Sequence, residues 1–143
     1  MALQKHDTIL FKNEQRLIYS QPLTKYFETL PQKPVFVSSN PLLISRGYYA
    51  ELTLENNKLY LADFIGEQLL SNWTEIKLNI KDLFPTEAPP IFAGWFTGQI
   101  IMPIEKDTAA NFYSPNERCL SLKFDEGVWI GEVELNRDDL MAD

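Results

Sequence analysis

Between Gly47 and Ile65 the chain reads GYYAELTLENNKLYLADFI, two runs of alternating apolar and polar residues around Asn56-Asn57. Alternation with period two marks a half-buried strand, and asparagine tolerates the positive φ that a two-residue hairpin turn requires. Such a turn sets Glu55 opposite Lys58, Leu54 opposite Leu59 and Leu52 opposite Leu61, so one side of the hairpin is apolar. Tyr49, Glu51, Thr53, Glu55 and Tyr60 fall on the other side. The same count brings Asp63 opposite Ala50 on the apolar side, where the pattern does not want an acid. It also sends Glu51 and Asp63 to opposite faces.

A second hairpin reads CLSLKFDEGVWIGEVEL over 119–135. With Glu126-Gly127 as its turn, Leu120, Leu122 and Phe124 share a face with Trp129, Gly131, Val133 and Leu135. A three-residue turn bulged at Gly127 would instead bring Val128 and Ile130 inward. The N-terminal TILFKNEQRLIYS forms a third hairpin around Lys12–Gln15. In SQPLTKYFETL the apolar spacing of Leu23, Tyr26, Phe27 and Leu30 predicts a short helix, with Pro22 suited to its first turn. GEQLLSNW and IKDLF each read as one or two helical turns, and PVFVS (34–38) as a strand.

The stretch PPIFAGWFTGQIIMP (89–103) carries no charge. From Phe96 onward Phe96, Gly98, Ile100 and Met102 alternate with Trp95, Thr97, Gln99 and Ile101, which predicts a central strand with one apolar and one mixed face. The fold class that follows is mainly β, with α+β as the alternative: antiparallel hairpins forming a sandwich or a partly closed barrel, with one or two short helices. No repeat or linker interrupts the chain. One domain over 1–143 is expected, with residues 136–143 as an acidic tail.

Composition narrows the functional classes. Twenty acidic against 13 basic side chains give a net charge of -7, which disfavours nucleic acid, because the basic residues are scattered rather than gathered. An acidic surface suits a basic protein partner, or serves solubility alone. Apolar residues at 45% and charged residues at 23% fit a globular domain that needs neither metal nor disulfide. Cys119 is the single cysteine, so no internal disulfide forms. MALQKHDTILF has no apolar core of a secretory signal, and prolines and glycines break the longest uncharged run. Cytoplasmic residence and no membrane association are therefore expected, and Asn72-Trp73-Thr74 reads as a chance match to a glycosylation acceptor.

Most chemistries lack their residues. His6 is the only histidine and lies near the terminus, away from any nucleophile in sequence, and Cys119 opens a strand. Clustered metal ligands, a phosphate loop and a dinucleotide fingerprint are absent from the sequence, so no cofactor is expected. Carboxylates remain, and Asp63 is the strongest single candidate, either facing water or accepting from Arg46 or backbone N–H groups. Arg46, at the hairpin start, suits an ion pair or an anionic ligand.

RGYYAELTLENNKLYLADFIG, IKDLFPTEAPPIFAGWFTGQIIMP and LSLKFDEGVWIGE resemble a pattern in small uncharacterised bacterial proteins. The resemblance spans roughly residues 44–131. It implies a bacterial, single-domain protein and carries no activity.

Three readings follow, in order. The first is a non-enzymatic protein-binding module, like an immunity or inhibitor protein, for a basic partner. The second is a small-molecule binder lined by Tyr48, Tyr60, Trp95 and Trp129. A carboxylate-dependent hydrolase comes last. Arg46, Tyr49, Tyr60, Asp63, Trp95 and Gln99 are the candidate binding residues, and a monomer or a homodimer covering a Tyr49/Tyr60 patch is expected.

Overall fold

The computed structural model describes residues 6–31, 35–36, 47–70, 72–104 and 118–136. Within them the chain forms β1 (Thr8–Phe11), β2 (Glu14–Leu17), α1 (Leu23–Phe27), β3 (Tyr48–Glu55) and β4 (Lys58–Leu69). There follow β5 (Glu75–Asn79), α2 (Ile80–Leu83), β6 (Ile91–Phe92), β7 (Gly98–Pro103), β8 (Arg118–Asp125) and β9 (Val128–Asn136). All strands belong to one sheet, with a main path in the order β2-β1-β3-β4-β9-β8-β7, while β5 and β6 pair with β4 off that path. Every pairing is antiparallel except β1 with β3.

The two ends of the path approach each other. The Tyr19 N–H donates to Ile101 O at 2.7 Å, and Ser20 Oγ accepts from the Ile101 N–H at 2.9 Å. The Arg16 guanidinium donates to Pro103 O and, at 2.8 Å, to Ile104 O. The result is a nearly closed, barrel-like sheet, the second of the two arrangements, sandwich or partly closed barrel, that the alternation allows.

Three hairpin turns hold residues at positive φ in pairs: Lys12-Asn13, Asn56-Asn57 and Glu126-Gly127. That is the geometry of the two-residue turn whose twist matches its strands. The first turn is thus tighter than the Lys12–Gln15 loop expected, because Glu14 and Gln15 already pair with Phe11 and Leu10.

Ile9, Leu52, Leu59, Leu61, Ile100 and Leu122 fill the interior and are almost wholly shielded from solvent. Aromatic rings form a cluster within this core. Phe27 of α1 packs against Tyr48 with ring centroids 5.5 Å apart and against Phe36 at 5.2 Å, and Tyr48 lies 5.9 Å from Phe64. Helix α2 is held by Asn79, whose side chain accepts from the Lys81 N–H at 2.9 Å while its own N–H donates to Asp82 at 2.7 Å. No helix among the described residues is long and apolar enough to cross a membrane.

Four sequence expectations are corrected. The described residues of GEQLLSNW are not helical: Gly66–Leu69 complete β4, and the Leu70 N–H donates to Thr74 O at 2.9 Å just before β5. Residues 89–103 form two strands, β6 and β7, separated by a turn in which the Phe96 N–H donates to Ala93 O at 3.0 Å. β7 ends the strand path rather than lying at its centre, although Phe96, Ile100 and Met102 are buried as expected. In the β8–β9 hairpin the two-residue turn forms, but the register shifts beyond Phe124↔Trp129. Gly131, Val133 and Leu135 therefore face Lys123, Ser121 and Cys119, not the Leu120/Leu122 side. Of PVFVS, Phe36 makes an isolated bridge to Gln68, and 34, 37 and 38 lie outside the described residues. So do Arg46 and 137–143, while Asn136 ends β9.

Candidate functional site

The misplaced acid of the β3–β4 hairpin is resolved by one extra residue. Pairing runs in step from Glu55↔Lys58 to Leu52↔Leu61, then slips, so that Glu51 meets Asp63 and Ala50 meets Phe64. Ala62 is the supernumerary residue of a bulge. Burying an unpaired carboxylate costs several kcal/mol, far more than a local irregularity in a ladder. The slip turns Asp63 outward and delivers the fully buried Phe64 to the core instead. Both expectations for this pair, Asp63 against Ala50 and Glu51 on the opposite face, are overturned by it.

The outer face of β1, β3 and β4 is thereby organised in rows. One runs Leu17, Thr8, Glu51, Asp63; the next runs Gln15, Leu10, Thr53, Tyr60, Phe92. A hydrogen-bond chain ties the first to Tyr49. Gln15 Nε2 donates to Thr8 Oγ1 at 2.9 Å and to Glu51 Oε1 at 3.3 Å. The Tyr49 hydroxyl lies 3.1 Å from Thr8 Oγ1 and donates to the same Glu51 oxygen at 3.2 Å. Burial raises the pKa of Tyr49 above its ordinary value; the Thr8 hydrogen bond opposes this, and the negative charges of Glu51 and Asp7 add to it.

Glu51 and Asp63 face each other across the strands, and like charges so placed repel. Asp63 Oδ1 accepts from the Phe64 N–H at 2.9 Å. Among the described residues neither carboxylate has an ion-pair partner, the one such pair being Arg118 with Glu134. The aromatic flank is Tyr60, whose ring lies 5.8 Å from that of the exposed Phe92. Thr53, between Leu10 and Tyr60, is 7% exposed, and its hydroxyl has no hydrogen-bond partner.

Tyr49, Tyr60 and Asp63 are thus brought to one face, with Glu51 joining them. Trp95 is elsewhere, its ring 5.5 Å from Tyr26 of α1, and the Tyr26 ring lies tilted 4.8 Å from Phe84. Gln99 is on β7, where it accepts from the Ser121 hydroxyl. The proposed lining set of a small-molecule site is dispersed: Tyr48 is in the aromatic cluster of the core, Tyr60 on the outer face, and Trp129 against Phe11 at 5.8 Å. Thr8, Gln15 and Phe92 escape the sequence reading because they arrive from other strands. Only the parallel pairing of β1 with β3 and the antiparallel pairings of β2 with β1 and of β6 with β4 reveal them.

No family model, curated protein or solved structure matches this chain. The chemistry of the face must speak for itself. A hydrolase using two carboxylates needs one of them enclosed and held protonated. Glu51 and Asp63 sit half-buried on the outside of the sheet, side by side with hydrogen-bond donors.

Proposed function

We propose that this chain is a non-enzymatic protein-binding module that meets a basic partner with the outer face of β1, β3 and β4. The observation that carries the reading is the pair Glu51 and Asp63, set opposite each other by the bulge with no cation between them among the described residues. A lysine or arginine from a partner would relieve their repulsion and lie against the rings of Tyr49 and Tyr60. The net charge of -7 extends the attraction beyond the contact and speeds encounter. A second copy docked through the same face would set like charges together, so the proposed state is a monomer. Cytoplasmic residence and bacterial origin belong to this proposal. The resemblance to small bacterial proteins adds no activity to it.

A low-salt pull-down from the native host, with wild type and a Glu51→Lys/Asp63→Lys variant run side by side, tests the reading. A stoichiometric basic protein held by the wild type and absent with the variant is the expected result. No stoichiometric partner, or equal recovery with both baits, overturns it.

A further inference from the structure

The seven residues that close β9 stand apart from the rest of the barrel. β4 meets β9 only where Lys58 pairs with Val128, and the last link is the Trp129 N–H donating to Asn57 O at 2.8 Å. Asn57 is in the β3–β4 turn, so β9 runs on past the end of that hairpin. From Ile130 to Asn136 its only strand partner among the described residues is β8. Among the described residues one edge of the strand is therefore unpaired there. An unpaired edge is a row of backbone donors and acceptors ready to receive another strand.

The side chains along this edge have a definite pattern. Ile130 is 64% exposed and Val133 39%. After the register shift, Glu132 and Glu134 share one face, opposite Leu122 and Leu120, while Val133 looks to the other, opposite Ser121. Glu134 is partly answered by Arg118; Glu132 has no ion-pair partner among the described residues. In sequence the surroundings are also acidic: from Asp125 to Asp143 there are seven acidic residues and one basic.

We propose that the β9 edge from Ile130 to Asn136 receives an extended segment of a basic protein by strand addition. In that segment cationic residues alternate with apolar ones. The cationic side chains fall beside Glu132 and Glu134, the apolar ones beside Val133, and the backbone hydrogen bonds continue the sheet. Charge selects this occupant over a second copy. Two β9 strands paired antiparallel about Val133 would set Glu132 of one against Glu134 of the other, and like charges directly opposite destabilise a pair. The proposal rests on the basic-partner reading only for the sign of the partner's charge; its surface is different.

The test uses the full chain, isotopically labelled, and two synthetic peptides of identical composition. One alternates lysine and valine; the other carries its lysines and valines in separate blocks. The expected result is that the alternating peptide binds more tightly at low salt. Amide shifts and slowed hydrogen exchange should centre on residues 130–136. Glu132→Lys, an exposed change that leaves the core untouched, should weaken binding by about tenfold and remove the shifts at 130–136, whereas Glu51→Lys/Asp63→Lys should leave those shifts in place. Perturbations centred on β3 and β4 and lost in the Glu51→Lys/Asp63→Lys variant overturn the edge proposal while supporting the basic-partner reading. Absence of binding by either peptide overturns the edge proposal alone, since the pull-down decides the other. Concentration-dependent self-association that perturbs 130–136 without peptide assigns the edge to a second copy, and overturns it too.

Discussion

Thr53 and Tyr49 show how far a single side chain's setting departs from what its type implies. A threonine in a strand's polar register is expected to face water, yet Thr53 is buried under its neighbours on the outer face without a hydrogen bond for its hydroxyl. A buried donor left unmade costs about 1–3 kcal/mol relative to its solvated state. Thr53→Val keeps the shape and removes the hydroxyl, so it should raise unfolding stability by about 1 kcal/mol in a urea titration. Tyr49 makes a second prediction. Its pKa is raised in the folded chain, first by burial and then by nearby acids, so as the pH climbs past 10.0 the unfolded chain loses this proton before the folded one does. The stabilisation is complete below that pH and fades above it. Tyr26 adds to the same trend, raised by burial and by Glu87. Stability measured by urea unfolding should therefore fall through the alkaline range, and less steeply for Tyr49→Phe.

At the scale of elements, turns were the most legible feature and bulges the least. Asn56-Asn57 and Glu126-Gly127 announce positive φ by residue type, and both turns form there. A bulge has no comparable signature, because an extra alanine or isoleucine looks like any other strand residue. Its trace was indirect: Asp63 stood on the wrong side, and that conflict was the symptom of the slip at Ala62. The helical reading of GEQLLSNW failed because Leu69, Leu70 and Trp73 have helical spacing, yet Trp73 is 81% exposed and the segment pairs with β5.

The β8–β9 turn carries its own test. Gly127 has φ +83, and a Cβ there would come within 2.7 Å of Ala93 O, while one at Gly131 would meet nothing within 4 Å. Its N–H also donates to Phe96 O at 2.8 Å, so the turn anchors the chain before β7. Gly127→Ala should cost about 2 kcal/mol or more. Gly131→Ala should change stability by no more than about 0.5 kcal/mol in the same unfolding experiment.

For the molecule as a whole, the mainly β class followed from alternation, which left a sandwich or a partly closed barrel open, whereas closure into the barrel depended on contacts between distant segments. Arg16 illustrates this, since nothing in its neighbourhood of sequence points to the carbonyls of Pro103 and Ile104. Arg16→Met keeps the aliphatic stem and removes the donors that join β2 to β7. It should lower stability by about 2 kcal/mol, the scale of hydrogen bonds to a charged group, and speed hydrogen exchange in both strands. The candidate face was legible only in part. Tyr49, Tyr60 and Asp63 came from one hairpin and could be chosen together, while their neighbours from β1, β2 and β6 required the tertiary fold.

The central claim is that Glu51 and Asp63 recognise a basic partner by charge. Calorimetric titration of the captured partner into wild type and Glu51→Lys/Asp63→Lys, at low and at physiological salt, tests it most directly. The predicted result is an affinity that drops with salt for the wild type and is weaker by about tenfold or more in the variant, roughly 1.4 kcal/mol. Equal affinities for the two proteins at both salt concentrations would contradict it.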